Sequence, residues 1–221
     1  MKPLADCRLY AFVDTAYLSG RKPTDVAAAL CQGGADIVQL RAKGMPKPVV
    51  IQMARDILPI TNSAGVWLVV NDYPDVAAEV GAPACHLGQE DFFDASFDSV
   101  ESVRQKTNFR IGLSTRAPEQ AHRAVAAGAD YIAVGPVFAT GTKPTAKPVT
   151  VDYVRWASTH ISIPWFAIGD ITLDNVDDVL ASGARRICVV SAILNAPDIA
   201  TACKRFANRL SAAVPQLTTN N

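Results

Sequence analysis

The sequence predicts a compact α/β fold, a single (β/α)8 barrel of the TIM type, and three observations favour it. First, short apolar runs alternate with helix-compatible segments throughout the 221 residues. Second, eight such runs are present, and most are continuously apolar, as expected for parallel strands covered on both faces. Third, a glycine-alanine pair leads into the next strand after three of the helical segments. The main alternative is a doubly wound open sheet, whose dinucleotide-binding form is weakened because no GxGxxG follows the first strand.

The apolar runs themselves define the predicted strands. They are Leu9–Val13, Asp36–Leu40, Val66–Val70, Ala84–Leu87, Arg110–Leu113, Tyr131–Val134, Trp165–Ile168 and Arg186–Val190. Helix start and stop signals predict helices at Thr24–Gln32 (with Thr24 as N-cap), Pro118–Ala127, Leu173–Ser182 and Pro197–Leu210. We expect one domain over residues 1–221, with an ordered core at about 8–210 and a frayed tail at 215–221.

Composition excludes several classes of function. Lys plus Arg and Asp plus Glu both number 21, so no global charge draws the chain to nucleic acid or to a membrane surface. No apolar run approaches the ~18 residues of a transmembrane helix, and the N-terminus lacks a signal-peptide core. The five cysteines are widely spaced without a CxxC motif, which favours structural thiols in a reducing compartment. We therefore expect a cytoplasmic protein that binds small molecules, and homo-oligomer formation is left open.

Two acidic residues at predicted strand ends are the best candidates for binding a cation. The segment VWLVVND ends in Asn71 and Asp72, and the segment CHLGQED ends in Asp91. Because all strand ends of a barrel open on one face, the two carboxylates are expected to converge. Mg²⁺ prefers oxygen ligands and commonly takes one or two carboxylates together with substrate phosphates. The alternative is that Asp72 caps a helix beginning near Pro74 and that Asp91 caps a loop.

Other strand ends carry groups that suit phosphate. Arg41 and Lys43 follow the second strand and would point the same way in an extended chain, where they would suit a diphosphate. A pair of surface cations is the alternative. The loop ATGTK (Ala139–Lys143) offers two hydroxyls, a glycine and a lysine without being a Walker loop. Gly169-Asp170 and Ser191 follow the last two strands, where barrels often bind phosphate.

Histidine-based hydrolysis has no support in the sequence. No Ser-His-Asp order and no HExxH motif are present. His86 lies inside the fourth predicted strand, and we expect a hydrogen-bonded core residue there rather than a catalyst.

In chain order, these motifs resemble those of the thiamin phosphate synthase family. The resemblance rests on QLRAK (Gln39–Lys43), VND (Val70–Asp72), HLGQED (His86–Asp91), GLST (Gly112–Thr115), GPVFATGTK (Gly135–Lys143), AIG (Ala167–Gly169) and VVSAI (Val189–Ile193). The ordered match runs from about residue 8 to 206, nearly the whole chain, and is more specific than any single motif.

The resemblance implies a barrel transferase that requires Mg²⁺. It would join 4-amino-5-hydroxymethyl-2-methylpyrimidine diphosphate to 4-methyl-5-(2-phosphoethyl)thiazole, or to its carboxylated form, and yield thiamin phosphate and pyrophosphate. By resemblance, Asp72 and Asp91 would bind the metal, and Arg41, Lys43, Ser114 and Lys143 would be catalytic. The substrate-binding residues would be Gln39, Leu40, Arg41, Ala42, Lys43, Asn71, Ser114, Thr140, Gly141, Thr142, Lys143, Gly169, Asp170, Val190 and Ser191.

Two positions depart from the family pattern. Ala42 stands where the family has glutamate, and we expect little effect. Asp170 stands where the family has a glycine whose amide meets the thiazole phosphate, so its carboxylate would repel that dianion unless the side chain turns away. A thiazole tautomerase-like paralogue is one alternative, but it would call for a histidine in the segment that holds Pro136. A non-catalytic sensor of phosphate ligands is another.

Overall fold

The chain folds as a closed barrel of eight parallel strands, in the order β1 to β8. This computed structural model describes residues 1–94, 97, 99–104, 108–139 and 148–213. The strands are β1 (Leu9–Asp14), β2 (Ile37–Arg41), β3 (Trp67–Asn71), β4 (Ala84–Leu87), β5 (Arg110–Thr115), β6 (Tyr131–Val134), β7 (Trp165–Ala167) and β8 (Ile187–Cys188). The predicted (β/α)8 fold is confirmed.

Helices lie between the strands. They are α1 (Pro23–Gln32), α2 (Lys47–Ser63), α3 (Pro74–Val80), α4 (Gln89–Phe93), α5 (Val100–Arg104), α6 (Pro118–Ala126), α7 (Thr150–His160), α8 (Val176–Ala181), α9 (Ser191–Leu194) and α10 (Ile199–Ala212). Short 3-10 turns occupy Leu4–Asp6 and Thr15–Tyr17. In the part of the chain that the structure describes, no helix is both long enough and apolar enough to cross a membrane.

Helix ends account for several differences from prediction. Thr24 is not an N-cap, because α1 begins one residue earlier, at Pro23. Helix α8 starts at Val176 rather than Leu173, because a turn precedes it in which the side-chain oxygen of Asn175 accepts a hydrogen bond from the amide of Thr172 at 2.8 Å. Helix α10 starts at Ile199, because the Asp198 carboxylate caps it by accepting from the amide of Thr201. The predicted frayed tail lies outside the described residues.

The first two strands of the barrel are longer than the last one. Strands β1 and β2 pair over five residues each and end together, with Asp14 opposite Arg41. Strand β8 has two residues instead of the five predicted, because only Leu9 and Tyr10 of β1 pair with it. The barrel therefore closes through a short seam between β7, β8 and β1.

Aromatic side chains fill the barrel interior. Tyr10 and Tyr131 are nearly fully buried, and so is Phe166. Their ring centroids lie 5.4 to 6.1 Å apart. Since β1 does not neighbour β6 or β7 in the sheet, the contacts of Tyr10 with the other two rings cross the interior. The centre of the barrel is thus a packed core and not a channel.

All five cysteines are free thiols. Burial raises the pKa of Cys7 and Cys203 to about 12, and that of Cys31 to about 11. Burial likewise raises the pKa of Cys85 and Cys188 well above the usual range. The thiols are therefore neutral near pH 7 and act as small apolar groups, in line with the structural role expected from the sequence.

Candidate active site

A cavity opens at the carboxyl ends of the strands. It encloses about 930 Å³, counting the space at its mouth. Eight of the residues predicted to bind substrate line it, and they come from the second, third and fifth strands and from the segments after the seventh and eighth: Gln39, Arg41, Asn71, Ser114, Gly169, Asp170, Val190 and Ser191. Residues at the strand ends therefore meet at this cavity, although they lie up to about 150 positions apart in the chain.

Some predicted residues do not line this cavity. Leu40 and Ala42 are buried in the hydrophobic core, because side chains alternate along β2 and theirs lie on the opposite side from Gln39 and Arg41. The predicted substrate-binding roles of Leu40 and Ala42 stay predictions. Thr140, Gly141, Thr142 and Lys143 lie outside the described residues, so their predicted roles stay predictions.

One side of the cavity, which we call the side-chain wall, consists of Gln39, Arg41 and Asn71. The Gln39 side-chain nitrogen donates to the side-chain oxygen of Asn71 at 2.8 Å. The Arg41 guanidinium donates to the carboxylate of Asp14 at 2.7 Å, and the two side chains are 12% and 1% exposed. Asp14 also accepts from the amide of Ala16. Each polar side chain of this wall is therefore held in place by a protein partner.

Lys43 does not continue the line of Arg41. The chain turns after β2, where Gly44 has a φ of 77°, so the extended segment that would align the two cations is absent. Arg41 pairs with β1, whereas the Lys43 ammonium lies 3.4 Å from the carboxylate of Asp72, beyond the end of β3. Arg41 and Lys43 thus pair with different carboxylates.

Asp72 sits in a backbone conformation that few residues adopt. Its φ is 67°, in the left-handed region that aspartate tolerates better than most side chains. Its amide donates to the carbonyl of His86, which fixes this turn to the end of β4. The alternative role as a helix cap is not found, because Tyr73 occupies the N-cap position of α3.

Asp91 lies in the first turn of α4, at the end of the neighbouring strand β4. One of its carboxylate oxygens lies 2.5 Å from the point where a Cβ on residue 88 would be. Glycine at position 88 therefore makes room for the carboxylate to fold back over the start of the helix. Asp91 is a helical residue, so the alternative of a loop cap is not found either.

The donor set of Asp72 and Asp91 fits a hard divalent cation in part. Both offer carboxylate oxygens on adjacent strand ends, and Asp72 is 23% exposed beside Lys43. Among the described residues, no group of three or more His, Cys, Asp and Glu is arranged to hold a metal. Such a pair suits an ion that keeps waters and takes its remaining ligands from a substrate.

A row of hydrogen bonds connects the far sides of the cavity. Tyr10 donates to the side-chain oxygen of Gln39 at 2.5 Å, and its hydroxyl lies 3.1 Å from that of Tyr131. Nδ1 of His86 is 3.2 Å from the Tyr131 hydroxyl, and Nε2 is 3.0 Å from the hydroxyl of Ser114. Burial raises the pKa of both tyrosines well above the usual range, so both stay protonated. His86 is hydrogen-bonded and 8% exposed, as predicted, but it also lines the cavity.

The opposite side, which we call the backbone rim, consists of Gly169, Asp170, Val190 and Ser191. The carbonyls of residues 168, 169 and 170 accept, in that order, from the amides of residues 137 and 138 and from the side chain of Asn175, at 2.8, 3.2 and 2.9 Å. A Cβ on Gly169, whose φ is 121°, would lie 2.5 Å from the main chain of residue 136. Within the described ranges, no acceptor pairs with the amides of Gly169 and Asp170. This rim can therefore offer N–H groups to an anion.

Sequence reasoning missed several cavity residues. Tyr10, Phe12 and Arg116 line the cavity but were assigned no role, although Arg116 follows the predicted polar end of β5 directly. Its guanidinium lies 3.3 Å from Glu90. The pairing of Arg41 with the end of β1 could have been inferred from the register of β1 and β2.

The fold and the cavity define a (β/α)8-barrel protein with a cavity of small-molecule size at the carboxyl ends of its strands. A family model described as thiamine monophosphate synthase matches residues 9–193. The chain belongs to the thiamine monophosphate synthase family, which confirms the resemblance inferred from the motifs.

Individual relatives agree with this assignment. The thiamine-phosphate synthase of Thermus thermophilus is 44% identical over 179 residues, which is 80% of this chain and 84% of that protein. The thiamine-phosphate synthase of Methanoregula boonei is 39% identical, over 94% of this chain and 95% of that protein. The solved structure of a thiamine phosphate pyrophosphorylase from Pyrococcus furiosus superposes with a TM-score of 0.84 at 26% identity, over 96% of this chain and 99% of that chain.

Proposed function

We propose that this chain is a transferase that forms thiamin phosphate and pyrophosphate from the pyrimidine diphosphate and the thiazole phosphate named above. Family membership across nearly the whole barrel supports the activity. The observation that carries the assignment to this cavity is that four of the six residues expected by resemblance to bind the pyrimidine diphosphate line it: Gln39, Arg41, Asn71 and Ser114. Of the other two, Lys43 does not line the cavity and Lys143 lies outside the described residues.

In this reaction the protein mainly has to neutralise the charge of the leaving diphosphate and to position the two substrates. The bond that breaks is a C–O bond at a benzylic-type carbon, and the electron-rich aminopyrimidine stabilises the cation that remains. Arg41 is rigidly held by Asp14 at the cavity and would neutralise the departing diphosphate. The ring nitrogen of the thiazole then forms the new bond to that carbon. No general base is required for these steps. In agreement with this, the thiol of Cys188, which lines the cavity, is neutral and cannot act as a base.

Mg²⁺ belongs to this proposal as a cofactor. Asp72 and Asp91 would hold it, and the bound ion would supply Lewis-acid stabilisation of the leaving diphosphate. The Lys43 ammonium lies 3.4 Å from the Asp72 carboxylate, and both side chains are partly exposed. Because solvent weakens the attraction of such a pair, it would not prevent Asp72 from binding a cation.

The second substrate would bind at the backbone rim. The amides of Gly169 and Asp170 and the Val190-Ser191 segment would meet its phosphate, together with the hydroxyls of Thr140 and Thr142. The Asp170 side chain is exposed, so its charge is screened by solvent and reduces affinity without abolishing binding. A cytoplasmic location and assembly into a homo-oligomer remain predictions.

The decisive experiment incubates purified protein with both substrates and Mg²⁺. We expect thiamin phosphate and pyrophosphate to appear in equal amounts, and chelation of Mg²⁺ to stop both. Omitting the thiazole phosphate is the control for simple hydrolysis of the diphosphate. Absence of thiamin phosphate at saturating substrates would refute the proposed function.

A further inference from the structure

The hydrogen bonds beneath the cavity form one continuous chain with six members. It runs through Ser114, His86, Tyr131, Tyr10, Gln39 and Asn71, with successive donor–acceptor distances between 2.5 and 3.2 Å. These residues come from six different strands, and the link between Tyr10 and Tyr131 crosses the barrel interior. Both tyrosine side chains are nearly fully buried, which excludes bulk water as a competing partner.

The direction of this chain is fixed by the chemistry of its members. The Gln39 oxygen can only accept, so Tyr10 must donate to it. The Tyr10 hydroxyl then accepts from Tyr131, whose own proton is thereby used. Nδ1 of His86 must therefore carry a proton that it donates to Tyr131. In the neutral ring, Nε2 of His86 then accepts from Ser114.

The backbone makes space for this arrangement at one position. His86, Gly112 and Tyr131 occupy one register row on β4, β5 and β6. A Cβ on Gly112 would overlap the Tyr131 ring. The glycine thus lets the phenol lie across β5 and reach His86. A side chain at position 112 would displace the Tyr131 ring, because the packed core leaves no room for both.

We propose that Tyr10 and Tyr131 are positioning residues that orient the Gln39 carboxamide for the pyrimidine substrate. Tyr10 holds the Gln39 oxygen, and Asn71 accepts one N–H of its nitrogen. Among the described residues, no acceptor pairs with the second N–H, which is left for a ligand in the cavity that Gln39 lines. The cavity accordingly selects a ring with a hydrogen-bond acceptor, such as a pyrimidine nitrogen. This inference rests on the proposed function.

The first test is Tyr131→Phe, which removes one hydroxyl and keeps the ring packed against Tyr10 and Phe166. We expect the KM for the pyrimidine diphosphate to rise about tenfold, the value of one well-placed hydrogen bond. The KM for the thiazole phosphate should change less than about twofold. Equal effects on both substrates, or no effect on either, would overturn the proposal.

Tyr153→Phe is the matched control. Its hydroxyl is also buried and lies 2.8 and 2.9 Å from the oxygens of Thr115 and Ala117, but it is not a member of the chain. We expect a comparable loss of thermal stability and an unchanged ratio of the two KM values. A shift in that ratio equal to that of Tyr131→Phe would mean that the effect is structural, and would contradict a positioning role.

A double-mutant cycle tests whether Tyr131 acts through Gln39. In a Gln39→Ala background, Tyr131→Phe should change the pyrimidine diphosphate KM by less than about twofold. Additive effects would show that the tyrosine does not work through the carboxamide.

A readout without turnover separates this inference from the proposed function. Nitrogen-15 NMR distinguishes the two neutral histidine tautomers, and His86→Gln identifies the signal among the three histidines. We expect the Nδ1–H tautomer in the wild type and a loss of that preference in Tyr131→Phe. A dominant Nε2–H tautomer in the wild type would overturn the chain direction, whether or not the protein makes thiamin phosphate.

Discussion

The side-chain wall and the backbone rim face each other across one cavity, yet they are built differently. On the wall, Gln39, Arg41 and Asn71 are each bonded to another side chain before any ligand arrives. On the rim, the carbonyls of residues 168–170 are occupied, while the amides of Gly169 and Asp170 have no acceptor in the described part of the chain. The wall therefore recognises its ligand through particular side chains, and the rim through the course of the main chain.

This difference decides which substitutions each side tolerates. Changing a side chain of the wall also removes a hydrogen-bond partner from its neighbour. The loss of stabilisation therefore extends to side chains that were not changed. The rim keeps its amides when a side chain changes, provided that the backbone holds its shape. Asp170 at a position where the family has glycine illustrates this, because its φ of 47° is left-handed and its carbonyl is tied to Asn175.

The largest expected effect comes from the carboxylate beside the wall, in Asp72→Asn. Asparagine tolerates the φ of 67° at this position, so the fold should be kept while the charge is lost. We expect kcat/KM to fall by about 100-fold or more and to need higher Mg²⁺, because one of two metal ligands is weakened. Steady-state kinetics across a Mg²⁺ series checks this.

Asp75→Asn is the matched control for that variant. Asp75 is an exposed neighbour that pairs with Lys47 on the surface. Its loss should leave turnover unchanged. Unaltered Mg²⁺-dependent turnover in Asp72→Asn would refute the metal role of Asp72.

An intermediate effect is expected from Asp14→Asn, which leaves the Arg41 charge buried without its counter-ion. The pair is 1% and 12% exposed, so we expect a loss of about 3 kcal/mol in the free energy of unfolding. The KM for the pyrimidine diphosphate should also rise, since the guanidinium is no longer aimed. Urea unfolding and steady-state kinetics measure the two effects.

Asp177→Asn provides the comparison for Asp14→Asn, since Asp177 pairs with Arg209 on the surface. Breaking an exposed pair should cost far less stability than breaking the buried pair of Asp14 and Arg41, because solvent screens the charges. If both variants lost equal stability, the description of the wall as a buried, preorganised surface would be wrong.

The smallest effect is expected at the rim, in Asp170→Asn and Asp170→Gly. Asparagine removes the charge and still tolerates the left-handed backbone, whereas glycine also removes the strain. Because Asp170 is exposed, we expect the KM for the thiazole phosphate to fall by only about threefold in both. The pyrimidine diphosphate KM serves as the internal reference and should not change. A rise in the thiazole phosphate KM would show that the carboxylate assists binding.

Prediction from sequence worked where a property is local. Strands β4 and β6 have the predicted bounds, because continuous apolar runs with clear ends specify buried parallel strands. The strand-end rule then located the polar lining of the cavity without any knowledge of distances. The fold and the family resemblance are both confirmed.

What the sequence did not reveal depends on contacts across the barrel. The link from Tyr10 to Tyr131 joins residues 121 positions apart on strands that do not pair, so no local pattern signals it. The separation of Arg41 from Lys43 depends on a turn at Gly44 that the extended-chain assumption overlooked. The metal ligands and the individual site roles remain predictions.

Gly112 also constrains how sequences of this kind can diverge. The Tyr131 ring occupies the volume that any side chain at position 112 would need. The two positions can therefore change only in concert, with a larger residue at one requiring a smaller residue at the other. Within a lineage that kept the phenol, position 112 would have to stay glycine, although it does not line the cavity.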